Sequence, residues 1–300
     1  MSKFSSNRLA YSYVLLGAAL WGIIGIFIDA LYLAGFTALQ IVTLRVVSAA
    51  IMLVFYLSLK DVSLLKIDLK DTFTFVGTGI FSIVFFNWAY FTAIEEVSLS
   101  VAVILLYTGP AFVVILSRII FGEPMTRRKV MALLLTLIGC ALVVRLVPLG
   151  DEHISWYGLM VGLGSGFGYA LYSIFGKHAL KKYESLTVIT YTFVFASVFL
   201  IPISAPGIAL SQLTSVHTWL MILGLGFFPT ALAYLLYTTG LSMVESGRAS
   251  ITATIEPVVA TLLGVFFFKE ILTAYQVLGM LLVLIAVIVI QMRKEKQAVR

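Results

Sequence analysis

The chain alternates between long apolar runs and short polar connections along its whole length. A helix needs about 20 predominantly apolar residues to cross a bilayer, and ten of the runs approach that length. We therefore predict an all-α integral membrane protein with ten transmembrane helices and no soluble domain. The predicted helices cover residues 11–30, 38–59, 72–94, 98–121, 130–147, 156–175, 186–204, 218–241, 250–268 and 274–291.

The composition agrees with this pattern. Hydrophobic residues make up 61% of the chain and charged residues only 11%, whereas a soluble domain is about 25% charged. The single cysteine, Cys140, lies in an apolar run and cannot form an internal disulfide. We expect the first apolar run to be a retained helix, because it is as long as a full span and no small-residue cleavage site follows it.

The positive charges indicate the orientation. If the N-terminus is placed in the cytoplasm, 17 of the 20 Lys and Arg residues fall on the cytoplasmic side and only Arg145 and Lys269 on the other. Arg45 belongs to neither side, because it lies within a span. Cytoplasmic loops of membrane proteins carry an excess of Lys and Arg. The distribution therefore predicts that both termini are cytoplasmic and that the protein lies in the cell inner (plasma) membrane.

An internal repeat divides the chain into two halves. At an offset of 147 residues Pro110 aligns with Pro257 and Tyr90 with Tyr237, and no gap is needed. We predict two five-helix units, residues 8–147 and 155–292. Because five is an odd number, the second unit must enter the membrane from the opposite side, which makes the pair an inverted-topology repeat as in many transporters. Further aligned pairs are Gly17 with Gly164, Gly77 with Gly224, Thr92 with Thr239 and Glu123 with Glu270.

These landmarks resemble the EamA branch of the drug/metabolite transporter superfamily. The motifs that carry the resemblance are Gly17…Trp21-Gly22, Tyr107-Thr-Gly-Pro110…Phe121-Gly-Glu123 and Ala253-Thr-Ile-Glu256-Pro257…Phe267-Phe-Lys-Glu270. The resemblance covers nearly the whole chain as two EamA-like domains. It implies a ten-helix carrier in which helices 1–4 and 6–9 surround a central cavity and helices 5 and 10 lie outside. It also implies export of amino acids, other metabolites or drugs.

Two prolines interrupt matching helices of the two halves. Pro110 and Pro257 lie within helices 4 and 9, where proline removes a backbone hydrogen bond and kinks the helix. The freed carbonyls, near Leu106 and Ala253, must face protein or a wet cavity. Paired interruptions of this kind point to a binding site between the halves. The alternative is a kink that serves packing alone.

Two charged residues are predicted inside the membrane. Glu256 precedes Pro257, and a carboxylate at that depth costs about 2.5 kcal/mol or more to insert, so we expect it to face the bundle interior. It could accept a proton, pair with a cationic substrate group, or pair with Arg45. A purely structural ion pair or a hydrogen bond onto a neighbouring helix is the alternative. Arg45 lies roughly 12 Å deep at 1.5 Å per residue and would suit a substrate carboxylate through bidentate contact. Snorkelling toward the interface is the alternative for Arg45.

Several other residues have smaller predicted roles. Because helices 1, 3 and 4 line the cavity in the family that the chain resembles, Trp21, Asn87 and Tyr107 are predicted to line it here. The glycine run at residues 162–168 contains overlapping GxxxG spacings and is typical of close helix packing rather than of a nucleotide loop. Glu123 and Glu270 close helices 4 and 9 and are expected to have a structural role.

The sequence thus favours a secondary transporter that exports small metabolites such as amino acids by alternating access. A drug or toxic-cation exporter of the same fold is the alternative, and an intramembrane scaffold or enzyme is the alternative from a different class. The enzyme hypothesis lacks a convergent nucleophile or acid–base group. No motif indicates a metal, a cofactor or nucleic acid. The expected partners are the substrate, the lipid bilayer and a coupling proton.

Overall fold

The computed structural model of the protein describes residues 3–145, 155–204, 207–208, 210–269 and 271–292. These residues form fifteen α-helices joined by short turns, and shorter helices follow one another directly within most of the long rods. The helices are α1 Lys3–Gly22, α2 Ile24–Leu33, α3 Ala38–Lys60, α4 Thr72–Val76, α5 Phe85–Glu96, α6 Leu99–Leu106, α7 Gly109–Phe121, α8 Arg127–Val143, α9 Trp156–Ala179, α10 Ser185–Ser204, α11 Val216–Gly226, α12 Ala233–Met243, α13 Ser246–Ala253, α14 Glu256–Phe268 and α15 Ala274–Gln291.

Nine rods in the described part of the chain, each a single helix or a direct succession of helices, are long and apolar enough to cross a membrane. Their bounds are Arg8–Leu33, Ala38–Lys60, Leu69–Glu96, Leu99–Phe121, Trp156–Ala179, Ser185–Ser204, Val216–Met243, Ser246–Phe267 and Ala274–Gln291. The tenth predicted span, residues 130–147, corresponds to α8, which has 17 residues and is shorter than the other nine. The predicted loop at residues 148–155 lies mostly outside the described residues, as does Glu270.

The two halves share their departures from α-helical geometry. A π-helical stretch, Gly77–Val84, joins α4 to α5, and a second one, Phe227–Leu232, joins α11 to α12 at the matching place. The fourth rod breaks between α6 and α7, just before Pro110, and the rod of α13 and α14 breaks just before Pro257. One break has no counterpart: α1 and α2 meet at Ile23, whereas α9 is continuous.

Contacts between loops and helix termini define two ends of the bundle. At one end the Arg145 guanidinium donates to the Ile271 carbonyl at 3.0 Å, and the Gln40 amide donates to the Gly207 carbonyl at 2.8 Å. We call this the Arg145 end. At the other end Arg128 donates to the Met292 carbonyl at 3.0 Å. We call this the Lys129 end, after the buried lysine one residue further on.

Close helix packing joins the halves. A Cβ added at Gly17 of α1 would lie 2.7 Å from the Ala233 carbonyl of α12, so the two helices could not approach as they do with a larger residue there. The glycine run of α9 acts similarly, because a Cβ at Gly166 would lie 2.7 Å from the Leu105 carbonyl of α6. This contact agrees with the packing role predicted for the run. Helices α8 and α15 lie against each other along their length.

Candidate functional site

A cavity of about 230 Å³ lies among rods from both halves of the chain. All five residues predicted to bind substrate line it, together with Pro110, whereas Pro257 lines a groove that adjoins it. The five come from α1, α3, α5, the end of α6 and the start of α14, which are separated by up to 235 positions in the sequence. The lining residues are Trp21, Ile24, Ile28, Arg45, Phe86, Asn87, Tyr90, Phe91, Val103, Leu106, Tyr107, Pro110, Tyr169, Tyr234, Ala253, Thr254 and Glu256.

Arg45 presents unused hydrogen-bond donors at this cavity. Its side chain is only 6% exposed, and neither Nε nor Nη2 has a hydrogen-bond partner among the described residues. These two nitrogens lie on the same edge of the guanidinium, the edge that binds a carboxylate with two parallel hydrogen bonds. Buried donors are normally partnered, and this edge of Arg45 has the geometry to accept an anionic group.

Glu256 is the acidic group of the same cavity. It is the first residue of α14, directly after the break that precedes Pro257, so its carboxylate lies in the first turn of a helix, where the helix dipole favours a negative charge. Glu256 and Arg45 line one cavity, but neither belongs to any of the ion pairs within 4.0 Å found in the described residues. The cavity therefore holds one positive and one negative group that do not neutralise each other by direct contact.

The two helix breaks supply further polar groups. Proline has no N–H, so Pro110 and Pro257 leave the carbonyls of Leu106 and Ala253 without their usual donor four residues on. Both Leu106 and Ala253 line the cavity. The breaks thus occur where the backbone borders a cavity, which is the condition under which irregular backbone is tolerated at membrane depth.

Aromatic rings form the floor of the cavity. The Trp21 indole packs edge-on against Tyr234, with ring centroids 5.0 Å apart, and Tyr234 packs in turn against Tyr172 at 4.9 Å. The Trp21 Nε1 donor is buried and has no partner among the described residues. Beyond this floor lies a small space of about 10 Å³ that Ser82 and Ser173 also line.

The Asn87 amide is partly occupied within its own helix, because its Nδ2 donates to the Ile83 carbonyl at 2.7 Å. Tyr107 caps the C-terminal end of α6 at the break. The structure therefore places both residues at the cavity wall, as it does Tyr90 beside them.

A larger groove adjoins the cavity and extends to the Arg145 end. The groove has a volume of about 650 Å³ and shares Tyr90, Val103 and Glu256 with the cavity. It is also lined by Leu99, which is 58% exposed, and by Arg145 itself. The cavity is thus bordered by this groove on the side of the Arg145 end and by the aromatic floor on the side of the Lys129 end.

Sequence reasoning missed part of the lining. Tyr169 was not singled out, although it lines the cavity and its ring lies 6.4 Å from that of Trp21. The available signal was its position directly after the glycine run, because the glycines bring that face of α9 against the helices of the cavity wall. Ile24 and Ile28 were missed as well, because the bend at Ile23 that turns them inward has no proline to mark it.

Comparison with known proteins identifies the family and agrees with the fold. The chain matches the EamA-like transporter family twice, over residues 8–145 and 156–292. An uncharacterized transporter from Archaeoglobus fulgidus is 30% identical over 289 residues, which cover 96% of this chain and 98% of that protein. The uncharacterized inner membrane transporter YicL of Salmonella typhimurium is 25% identical, with 98% of each chain covered.

Two further similarities bear on substrate and on fold. The threonine/homoserine exporter RhtA of Salmonella typhimurium is 30% identical over 206 residues, which cover 67% of this chain and 65% of that protein. A protein of known crystal structure superposes with a TM-score of 0.78 at 17% identity, with 96% of each chain covered. At that identity the superposition supports the fold alone.

Proposed function

Because this chain belongs to the EamA-like transporter family, and is therefore a multi-pass membrane transporter rather than an enzyme, we propose that it exports a small polar metabolite such as an amino acid. The resemblance stated from the sequence motifs is confirmed by the family match. The similarity to a threonine/homoserine exporter supports both the substrate class and the outward direction.

One observation carries the proposal. The Nε and Nη2 edge of Arg45, which has no partner among the described residues, borders the same cavity as the Glu256 carboxylate. The ion pairs found in the described part of the chain do not include an Arg45–Glu256 pair. An amino acid carries a carboxylate that fits the first group and an ammonium that fits the second. Trp21, Asn87 and Tyr107 would contact the remainder of the molecule. A cation without a carboxylate would leave the buried Arg45 unpaired, which is costly.

The proposed mechanism is alternating access by a secondary transporter in the cell inner membrane. In this proposal α8 is the tenth span, the units 8–147 and 155–292 are inverted repeats, and both termini are cytoplasmic. The charge distribution along the chain supports that orientation. The two halves would rock about the cavity, with the breaks before Pro110 and Pro257 as the points of bending.

Glu256 is the proposed coupling residue. A carboxylate within the membrane is stable when it is protonated or when it is paired with a cation, so proton uptake and substrate binding at Glu256 would exclude each other. That competition is sufficient to couple export of a substrate to entry of a proton. Glu256→Gln keeps the shape of the side chain and removes its titration.

Counterflow in liposomes tests the proposal. Purified protein is reconstituted with a high internal concentration of each unlabelled amino acid, and uptake of a trace of the labelled compound is followed. The expected result is accumulation of at least one amino acid by the wild type, and in Glu256→Gln, exchange that no longer responds to a proton gradient. If no amino acid accumulates but lipophilic cations do, the protein is a drug or toxic-cation exporter instead.

A double variant tests whether the protein needs the two charged groups of the cavity, for which a scaffold would have no use. Replacement of both Arg45 and Glu256 by Leu removes the polar character of the cavity and leaves the bundle intact. Transport must then be lost. If the double variant keeps full activity in well-folded protein, the cavity is not the transport site.

A further inference from the structure

A cluster of charged side chains closes the bundle at the Lys129 end. The Glu123 carboxylate, which is 8% exposed, accepts hydrogen bonds from the backbone amides of Ser246 at 2.6 Å and Gly247 at 3.2 Å. These amides begin α13, so a side chain of the first half caps a helix of the second half. Unsatisfied amides and the helix dipole make a helix N-terminus a favourable place for a carboxylate.

Lys129 extends the connection. It is 1% exposed, and its ammonium lies 3.1 Å from Glu123 and 2.8 Å from Glu245. Glu245 immediately precedes α13, so Lys129 bridges the turn that follows Phe121 in the first half and the turn between α12 and α13 in the second. The Lys129 ammonium thus lies between two carboxylates, and its contact with the buried Glu123 is strong because little water screens it.

Lys177 of α9 also binds the turn between α12 and α13. Its ammonium donates to the carbonyls of Leu241 at 2.6 Å and Val244 at 2.7 Å. These carbonyls end α12, where a cation is favoured by the helix dipole. The junction between α12 and α13 is thus fixed by charged groups from α9, from α8 and from the turn after α7.

The cluster lies on the closed side of the cavity. Along three rods the residues lining the small space below the aromatic floor are nearer to the Lys129 end than those lining the cavity: Ser82 precedes Asn87, Ser173 follows Tyr169, and Tyr237 follows Tyr234. A path from the cavity to the Lys129 end would therefore pass the floor, the small space and then the charged cluster.

We propose that Glu123, Lys129, Glu245 and Lys177 form an ionic latch that holds the transporter closed at the Lys129 end and must separate for the cavity to open there. The proposal rests on the alternating access proposed above. Glu123 is the central member, because it alone binds Lys129 and the amides of α13 together.

Helix α13 connects the latch with the substrate cavity. Its first two amides bind Glu123, and its last residue, Ala253, lines the cavity directly before Thr254 and Glu256. The helix has eight residues, or about 12 Å at 1.5 Å per residue. Because α13 is short and is bound at both ends, separation of the latch would move α13 and with it Glu256. Movement at the latch would therefore change the cavity as well.

Cysteine labelling tests the latch without any substrate. Cys140 is the only native cysteine and is buried, so Cys140→Ala gives a background without reactive thiols. Ser82→Cys places a reporter in the small space on the latch side of the floor, where the native hydroxyl has no hydrogen-bond partner in the described structure. Val103→Cys places a second reporter where the cavity meets the groove on the open side.

The rate of reaction with a bulky hydrophilic maleimide is measured for each reporter in purified detergent-solubilised protein. Glu123→Gln is expected to raise the rate at Ser82→Cys about tenfold or more, which corresponds to about 1.4 kcal/mol, and to leave the rate at Val103→Cys unchanged or lower. Glu245→Gln removes the other partner of Lys129 and should act in the same direction. It is the alternative test if Glu123→Gln does not fold.

A matched control breaks an exposed ion pair. Asp68→Asn removes one carboxylate from the exposed Lys182 pair and should change neither rate. The latch is rejected if Glu123→Gln and Glu245→Gln leave the Ser82→Cys rate at the control value, or if both reporters accelerate by the same factor, which would indicate general loosening. Because labelling needs no substrate, failure of amino acid counterflow would reject the proposed substrate while this result stands.

Discussion

Replacement of Arg45 by Met should make the empty protein more stable while it abolishes substrate binding. Methionine keeps an unbranched side chain of similar length and lacks the guanidinium. In the wild type Nε and Nη2 are buried and have no partner among the residues that the structure describes, so the guanidinium loses hydration that no described protein group replaces. A residue kept for binding is expected to show this opposition between stability and function.

The structure sets the magnitude. A buried donor without a partner costs about 1–3 kcal/mol, and the two nitrogens share one desolvated group, so we expect Arg45→Met to gain about 1–3 kcal/mol in unfolding free energy. With an unfolding entropy of about 2.1 cal/mol/K per residue, each kcal/mol shifts the melting temperature of a 300-residue chain by about 1.6 °C. The unliganded variant should therefore melt about 2–5 °C above the wild type.

Thermal denaturation in detergent, followed by size-exclusion chromatography, measures both effects. The wild type should be stabilised by a transported amino acid, and Arg45→Met should not respond to it. Arg248→Met is the matched control, because Arg248 donates to Tyr11, Glu245 and the Ile290 carbonyl, so its loss should lower the melting temperature. If Arg45→Met also melts below the wild type, Arg45 is a structural residue, and the interpretation that its Nε and Nη2 donors serve substrate binding is wrong.

Three further predictions concern stability and are checked by the same melting assay. Lys269 follows α14 with a φ of 55°, and Gly122 has a φ of 68° at the matching position of the first half. Because this left-handed conformation costs a non-glycine residue about 1–2 kcal/mol, Lys269→Gly should stabilise the protein and Gly122→Ala should destabilise it. Melting temperatures equal to that of the wild type would contradict this prediction. Burial alone would raise the pKa of the Glu123 carboxyl, but its two amide donors and the neighbouring ammonium hold that pKa below its usual value. The stability that Glu123 contributes is therefore present above about pH 4.3 and is lost as the pH falls through the lowered pKa. Glu123→Gln should flatten this loss of stability at acid pH, and an unchanged pH profile would refute the assignment. Gly279→Ala places a Cβ 2.6 Å from a backbone carbonyl of α8, whereas the nearest neighbour of a Cβ at Gly164 is 3.6 Å away, so the first should lower the melting temperature and Gly164→Ala should not.

The positions of most helices followed from hydropathy, because an apolar run of about 20 residues has few alternatives in a membrane. The ends of the rods were less predictable where polar residues continue a helix. The ninth predicted span was placed at residues 250–268, but α13 begins at Ser246. Hydropathy assigned this polar start to a loop, whereas the Glu123 carboxylate stabilises it as a helix from a distance of 123 positions in the sequence.

Only some of the irregular helical segments could be predicted from the sequence. The breaks before Pro110 and Pro257 were predicted because proline removes a backbone donor. The bend at Ile23 and the two π-helical stretches were not, because they depend on how neighbouring helices pack rather than on a local signal. The bend matters for the site, since it places Ile24 and Ile28 at the cavity.

The sequence predicts the charged residues of the candidate site but not whether those residues contact each other. Arg45 and Glu256 stood out because ionisable residues inside a membrane are rare, and the structure brings them to one cavity. Whether they pair could not be decided from sequence, because it depends on a few ångströms between rods of different halves. The sequence predicts a structural role for Glu123 but not its contacts with the second half, since those partners are backbone amides whose availability no residue type reveals.

Counterflow of labelled amino acids by wild-type protein and by Arg45→Met, reconstituted in parallel, shows whether the Arg45 guanidinium binds the transported substrate. We expect the wild type to accumulate at least one amino acid and Arg45→Met, although folded, to accumulate none. Accumulation by Arg45→Met at the wild-type rate would contradict the claim that the guanidinium holds the substrate carboxylate in this cavity.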